Sequence, residues 1–146
     1  MSMKRPRPAR SSPRRAAWQG AHWVRASTRL AIYLRDGLAC LWCGRALEDG
    51  VALSLDHLVA VAEGGSHAPA NLVTCCQPCN LTRGATSRDE WCRRLGGDVA
   101  ERVPVHIARD LAPYRVRALQ IQRERPEWLL ALRRRSSTVG GIRAGR

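Results

Sequence analysis

Two Cys-x-x-Cys pairs constrain this chain more than any other feature: Cys40-Leu-Trp-Cys43 and Cys76-Gln-Pro-Cys79. Each pair is short enough to bend into a knuckle that points two thiolates at one ion. Two knuckles complete the tetrahedral four-sulfur set that holds structural zinc. The rival uses of such pairs are disulfides and redox exchange. The basic N-terminus has no apolar stretch behind it and does not read as a secretory signal, which disfavours disulfides. Two matched pairs also argue against a single redox motif. Thirty-two residues separate Cys43 from Cys76, more than the usual zinc-finger spacing, so a structured insertion is expected between the knuckles. Cys75 is an alternative ligand to Cys76, at Cys-x-x-x-Cys spacing. Cys92, beside Trp91, reads as a small buried residue.

The insertion has a readable order. Ahead of the first knuckle, Ser27 or Thr28 is a candidate cap for a helix through Leu30, Ala31, Ile32, Tyr33 and Leu34, stopped by Asp36-Gly37. Between the knuckles, Leu53-Ser54-Leu55-Asp56-His57-Leu58-Val59 alternates apolar and polar as a short strand does. Gly64-Gly65 breaks it, and a polar loop runs to Asn71. Leu72-Val73-Thr74 is long enough for a return strand into the second knuckle. Asn80-Leu81-Thr82-Arg83 then makes a short helical turn with Gly84 as its stop. Strand, loop, strand and helix follow one another, each end pinned near one zinc ion.

In this order the residues resemble the HNH endonuclease family. The resemblance spans about residues 29 to 85. It rests on the Cys-x-x-Cys pairs with Asp56-His57, Gly64-Gly65, Asn71-Leu72, Asn80 after Cys79, and Arg83-Gly84. It implies a small α+β fold: a ββα-metal (His-Me finger) core stapled by a four-cysteine zinc site and flanked by helices. It also implies roles. His57 matches the general base, and Asp56 the adjacent ligand of a catalytic divalent ion. Asn71 matches the middle Asn, which orders the loop and orients the histidine. Asn80 stands in the last position, where the family name has His and many members have Asn. Arg83 falls where members often carry a basic residue near the phosphate. Cleavage products with 5′-phosphate and 3′-hydroxyl ends are implied as well.

The chemistry is consistent with those roles. Cutting a phosphodiester needs an activated water, neutralised phosphoryl charge and help for the departing alkoxide. A histidine with a reference pKa near ~6.5 is largely neutral at cellular pH and can take a proton. An ion held by Asp56 and Asn80 meets two oxygen ligands and no protein nitrogen, which favours Mg²⁺ or Mn²⁺ over zinc. Neighbouring residues on a regular strand point to opposite faces, so a strand that is bent, twisted or ending at Asp56-His57 is expected. An Asp-His pair outside such a signature is ordinarily just a strand end. His67, in the Gly-rich loop, reads as exposed without a role, with substrate contact as the alternative, and His22 and His106 have no supporting neighbours.

Charge is placed unevenly. The 146 residues carry a net charge of +13. Residues 1–17 hold 6 of the 25 basic groups and residues 133–146 hold 5, both without an acid, leaving 14 basic and 12 acidic residues between them. The expected division is a disordered basic arm (1–17), a nuclease module (18–86), a helical extension packed on it (87–132) and a largely disordered basic tail (133–146). In the extension, Ser87-Arg88-Asp89-Glu90 is a capping box for a helix around Trp91, ended by Gly96-Gly97. Pro104 and Pro113 punctuate further turns or helices, and Pro126 opens a last helix with Trp128, Leu129, Leu130 and Leu132.

Taken together, the expected partner is DNA and the expected site is intracellular (cytoplasmic, in a bacterium or phage). The apolar runs Leu30–Leu34 and Leu58–Ala62 are far too short to span a membrane. The leading function is an HNH-type DNA endonuclease with structural zinc and catalytic Mg²⁺ or Mn²⁺. The alternative is a non-catalytic zinc-stabilised nucleic-acid-binding module. A zinc-bound protein-interaction adaptor leaves the basic arms and the Asp-His pair without a purpose.

Overall fold

The first helix, α1 (Ala26–Arg35), turns Leu30, Ala31, Ile32 and Tyr33 into the interior. The computed structural model describes residues 24–130 and Leu132, so the arms expected over 1–17 and 133–146 lie outside the described residues. Neither Ser27 nor Thr28 caps α1. The helix begins after Arg25 with no side-chain cap, because its buried face rather than its entry residue holds it in place. It stops at Asp36, and Gly37 follows with a φ of +77°.

The chain then forms the first knuckle, closed by an antiparallel bridge between Ala39 and Ala46. Beyond it lie β1 (Leu53–His57) and β2 (Leu72–Cys76), paired antiparallel in the register Leu53 with Cys76 through His57 with Leu72. β1 is shorter than its alternation suggests. The Asn71 side chain takes both the N–H and the C=O of Val59, so the ladder cannot continue to that residue. β2 is longer than expected, running directly into α2 (Gln77–Arg83), with Cys76 as the residue before the helix and Gly84 at its end. The result is an α+β fold with a ββα-metal arrangement.

All five residues of β2 are buried. On one face Val73 and Cys75 pack with Trp42, Trp91 and Val103, and on the other Leu72 packs with Ile32, Tyr33, Leu53 and Leu55. The side of β2 turned away from β1 needs partners for its backbone groups. Asp36 Oδ2 accepts from Thr74 N (2.9 Å), Arg35 Nη2 donates to Leu72 O (2.7 Å), and Leu41 N donates to Thr74 O (2.8 Å). Arg35 and Asp36 are themselves ion-paired at 2.8 Å, with side chains 1% and 0% exposed. A buried pair of this kind is tolerable only when its remaining donors and acceptors are also satisfied, as Arg35 does with a further bond to Pro69 O.

Helices cover both ends of this core. α3 (Arg88–Leu95) is capped by Ser87, whose Oγ accepts from Glu90 N at 3.3 Å. It and α4 (Val99–Ile107) bury Trp91, Cys92, Val99 and Val103 against Trp42 and Val73. Pro104 lies inside α4 rather than at a break; burial of Val99 and Val103 holds a short helix that has lost one backbone bond. α5 (Ala112–Glu124) sets Ala118 and Ile121 against Leu30 and Ala31 of α1, joined by Trp128 and Leu129 from the helical residues 126–130. Among the described residues no helix is long and apolar enough to cross a membrane.

Candidate active site and metal centre

The four knuckle sulfurs, from Cys40, Cys43, Cys76 and Cys79, lie within 4.8 Å of one another, with Cys43 and Cys76 3.7 Å apart. Two come from the tight turn after α1. The others come from the end of β2 and the first turn of α2, so one site ties three elements. Cys75 points to the opposite face of β2, as strand alternation requires; its sulfur is buried 3.3 Å from Ser54 Oγ. The choice between Cys75 and Cys76 therefore falls to Cys76. Burial pushes the Cys40 thiol up to about 11 and the Cys79 thiol higher still, with neighbouring thiols adding to both. Four thiolates this close coexist only around a cation. The all-sulfur, four-fold donor set is that of a structural metal such as zinc. Among the described residues it is the one group of three or more Cys, His, Asp or Glu ligands so placed.

The second centre lies at the far end of β1. A cleft of about 740 Å³ is lined by Asp56, His57, Asn80 and Arg83, with Arg29 of α1 and Arg88 of α3 also on its wall. β1 ends at His57, and Asp56 and His57 both line this one cleft. Asn80 reaches it from α2. Burial lowers the His57 pKa from the ordinary histidine value, His67 and Arg83 lower it further, and Asp56 only partly offsets them. The imidazole is thus kept neutral, the state in which it can accept a proton.

Asp56 is held by two donors. Its Oδ2 accepts from Trp42 Nε1 at 3.0 Å and from Arg83 Nη1 at 2.6 Å. Trp42 stands between the two cysteines of the first knuckle, so one indole links the metal site to the cleft. Arg83 differs from the accessible phosphate contact that the resemblance implies. It is 5% exposed, lies 5.4 Å over the Trp42 ring, and donates also to the carbonyls of His57 (2.8 Å), Leu58 (3.1 Å) and Thr86 (3.2 Å). With its donors engaged internally, Arg83 builds the floor under Asp56 and His57.

Asn71 clamps the loop between the strands. Its Oδ1 accepts from Val59 N (2.9 Å), and its Nδ2 donates to Val59 O (3.0 Å) and Ser66 O (2.8 Å). Gly65 lies so close that a β-carbon there would stand 1.8 Å from Val59 O; this position admits no side chain. The folded-back loop brings His67 Nδ1 to 2.9 Å from His57 Nε2, with the rings tilted by 55°. Sequence reasoning gave His67 no role and missed Trp42 altogether. The available signal for His67 was its place two residues after Gly65, in a loop that must return to the strand it left.

The cleft, the sulfur site and the ββα order define a ββα-metal domain. Within that class, residues 40–86 match the family model described as HNH endonuclease. The match begins at the first knuckle cysteine and takes in both strands and α2. No curated protein and no solved structure matches the chain.

Proposed function

We propose that the chain is a divalent-metal-dependent DNA endonuclease of HNH type, with His57 as the general base. The observation that carries this reading is the convergence of Asp56, a neutral-leaning His57 and Asn80 on one cleft. In it His57 takes a proton from the attacking water. Asp56 and Asn80 would hold Mg²⁺ or Mn²⁺, which would supply charge neutralisation at the phosphate and leaving oxygen. Asn71 holds the loop that frames His57. Arg29 and Arg88, on different elements of the cleft wall, would grip neighbouring phosphates, and the basic arms would add sequence-independent affinity. An intracellular, reducing setting suits a chain that needs its thiols free for metal.

One observation favours the second reading, a zinc-stabilised DNA-binding module without catalysis: the carboxylate of Asp56 is already neutralised by Arg83. Plasmid cleavage with Mg²⁺ or Mn²⁺, comparing the wild type with His57→Ala, separates the two. Cleavage by the wild type alone supports the endonuclease. Equal cleavage by both removes His57 as base, and an inactive, folded, zinc-loaded wild type that binds DNA establishes the module. Zinc content is expected to survive His57→Ala and to fall in Cys40→Ser.

A further inference from the structure

The loop between the strands spends a great deal of its geometry on one exposed side chain. Asn71 donates to Ser66 O, the residue before His67, while Ser66 Oγ accepts from Ala68 N (3.3 Å), the residue after it. Gly65 permits a backbone approach that no other residue allows. These contacts fix the backbone on both sides of His67 and deliver its Nδ1 to His57 Nε2 at 2.9 Å. An imidazole–imidazole hydrogen bond has a strict requirement: one nitrogen carries the proton and the other the lone pair. Only one of the two arrangements suits a base. If His57 donates from Nε2, its Nδ1 holds the lone pair that can take a proton; if His57 accepts at Nε2, its Nδ1 is already protonated.

We propose that His67 is the positioning residue for His57, accepting the Nε2 proton at its own Nδ1 and so fixing both the orientation and the tautomer of the base. This rests on the endonuclease reading for its purpose, though not for its geometry. The arrangement is that of a histidine base held by a third group through its second nitrogen, here with a neutral imidazole in place of a carboxylate. When His57 takes up a proton the same bond becomes charge-assisted, so it strengthens as the reaction proceeds. His67 itself touches neither water nor phosphate in this scheme.

Two measurements on the full-length, zinc-loaded protein test it. The first is magnetic-resonance detection of scalar coupling across the N–H···N bond in ¹⁵N-labelled protein at neutral pH, without magnesium. Coupling between the two imidazoles, with the proton on His57 Nε2, is expected; a proton on His67 Nδ1, or no coupling, overturns the proposal whether or not the protein cuts DNA. The second is cleavage by His67→Ala, His67→Asn and His67→Gln. His67→Ala is expected to lose about 10- to 100-fold in kcat, the scale of a misplaced reacting group, with KM and zinc content unchanged. His67→Asn puts an acceptor where Nδ1 stands and should recover most of the loss, whereas His67→Gln, whose amide reaches the Nε2 position, should not. Equal activity in all three, or a loss confined to KM, refutes positioning. Correct coupling in a protein that never cleaves DNA keeps the hydrogen-bonded pair and overturns the endonuclease reading instead.

Discussion

Replacing Arg83 by Ala tests the central electrostatic claim about the cleft. The substitution removes the 2.6 Å ion pair to Asp56 and three bonds to the carbonyls of His57, Leu58 and Thr86. The partner carboxylate is 12% exposed, so water cannot fully replace the lost guanidinium. Breaking one side of a buried pair costs about 3–5 kcal/mol, and Trp42 Nε1 would remain as the single donor to Asp56 Oδ2. The expected loss is therefore at the upper half of that scale, read from urea unfolding followed by tryptophan fluorescence at saturating zinc. A double-mutant cycle isolates the pair: in an Asp56→Asn background the same substitution should cost about 1–3 kcal/mol less. Arg83→Lys keeps the charge but not the planar fork and should recover only part of the stability. The reasoning is refuted if Arg83→Ala changes stability by less than about 0.5 kcal/mol, the range of an ordinary surface site. It is refuted equally if the variant instead loses DNA affinity with a salt slope smaller by about one, the mark of a lost phosphate contact.

Three further outcomes follow from the geometry. Gly65→Ala must push the loop off Val59, where its new carbon would stand 1.8 Å from the carbonyl oxygen; a loss of about 1–3 kcal/mol in urea unfolding is expected, with faster amide exchange at Val59. Cys76→Ser should release bound zinc under a chelator challenge, whereas Cys75→Ser, altering a sulfur that faces Ser54, should retain it. Burial and then Arg109 lower the His106 pKa from its ordinary value of 6.5, with Asp36 only partly opposing them. The unfolded chain therefore binds that proton more readily than the folded one. The stability contribution of His106 is complete above about pH 6.5 and declines as pH falls below it, and His106→Gln should flatten the unfolding midpoint measured across that range.

The parts of the fold written in local spacing were legible. Cys40, Cys43, Cys76 and Cys79 declared the sulfur site because metal ligation demands short, fixed intervals. Asn71 and Gly64-Gly65 marked a loop that had to double back, and Ser87 with Glu90 marked the start of α3. What stayed hidden were side chains whose partners lie far along the chain. Asp36-Gly37 reads locally as a helix stop, yet Arg35 and Asp36 serve backbone groups at Leu72 and Thr74. Arg83 was expected near phosphate because the resemblance implies a basic residue there; nothing within a few residues of it announces three carbonyls and a carboxylate. Pro104 was read as punctuation because only tertiary packing lets a short helix carry it. His67 lacked any neighbour in sequence that signals a histidine pair.

The closing of β2 by Arg35, Asp36 and Leu41 also bears on how copies of this chain behave toward one another. A strand of five buried residues whose outer backbone groups were unclaimed would be a template for pairing with another molecule. Here those groups are already occupied by two charged side chains and one loop amide, so the β2 edge of the sheet offers no register to a third strand. That protection depends on α1 staying docked, since Arg35 is its last residue. Local unfolding of α1 would thus do more than loosen a helix: it would uncover the strand, among the described residues, best suited to start aggregation.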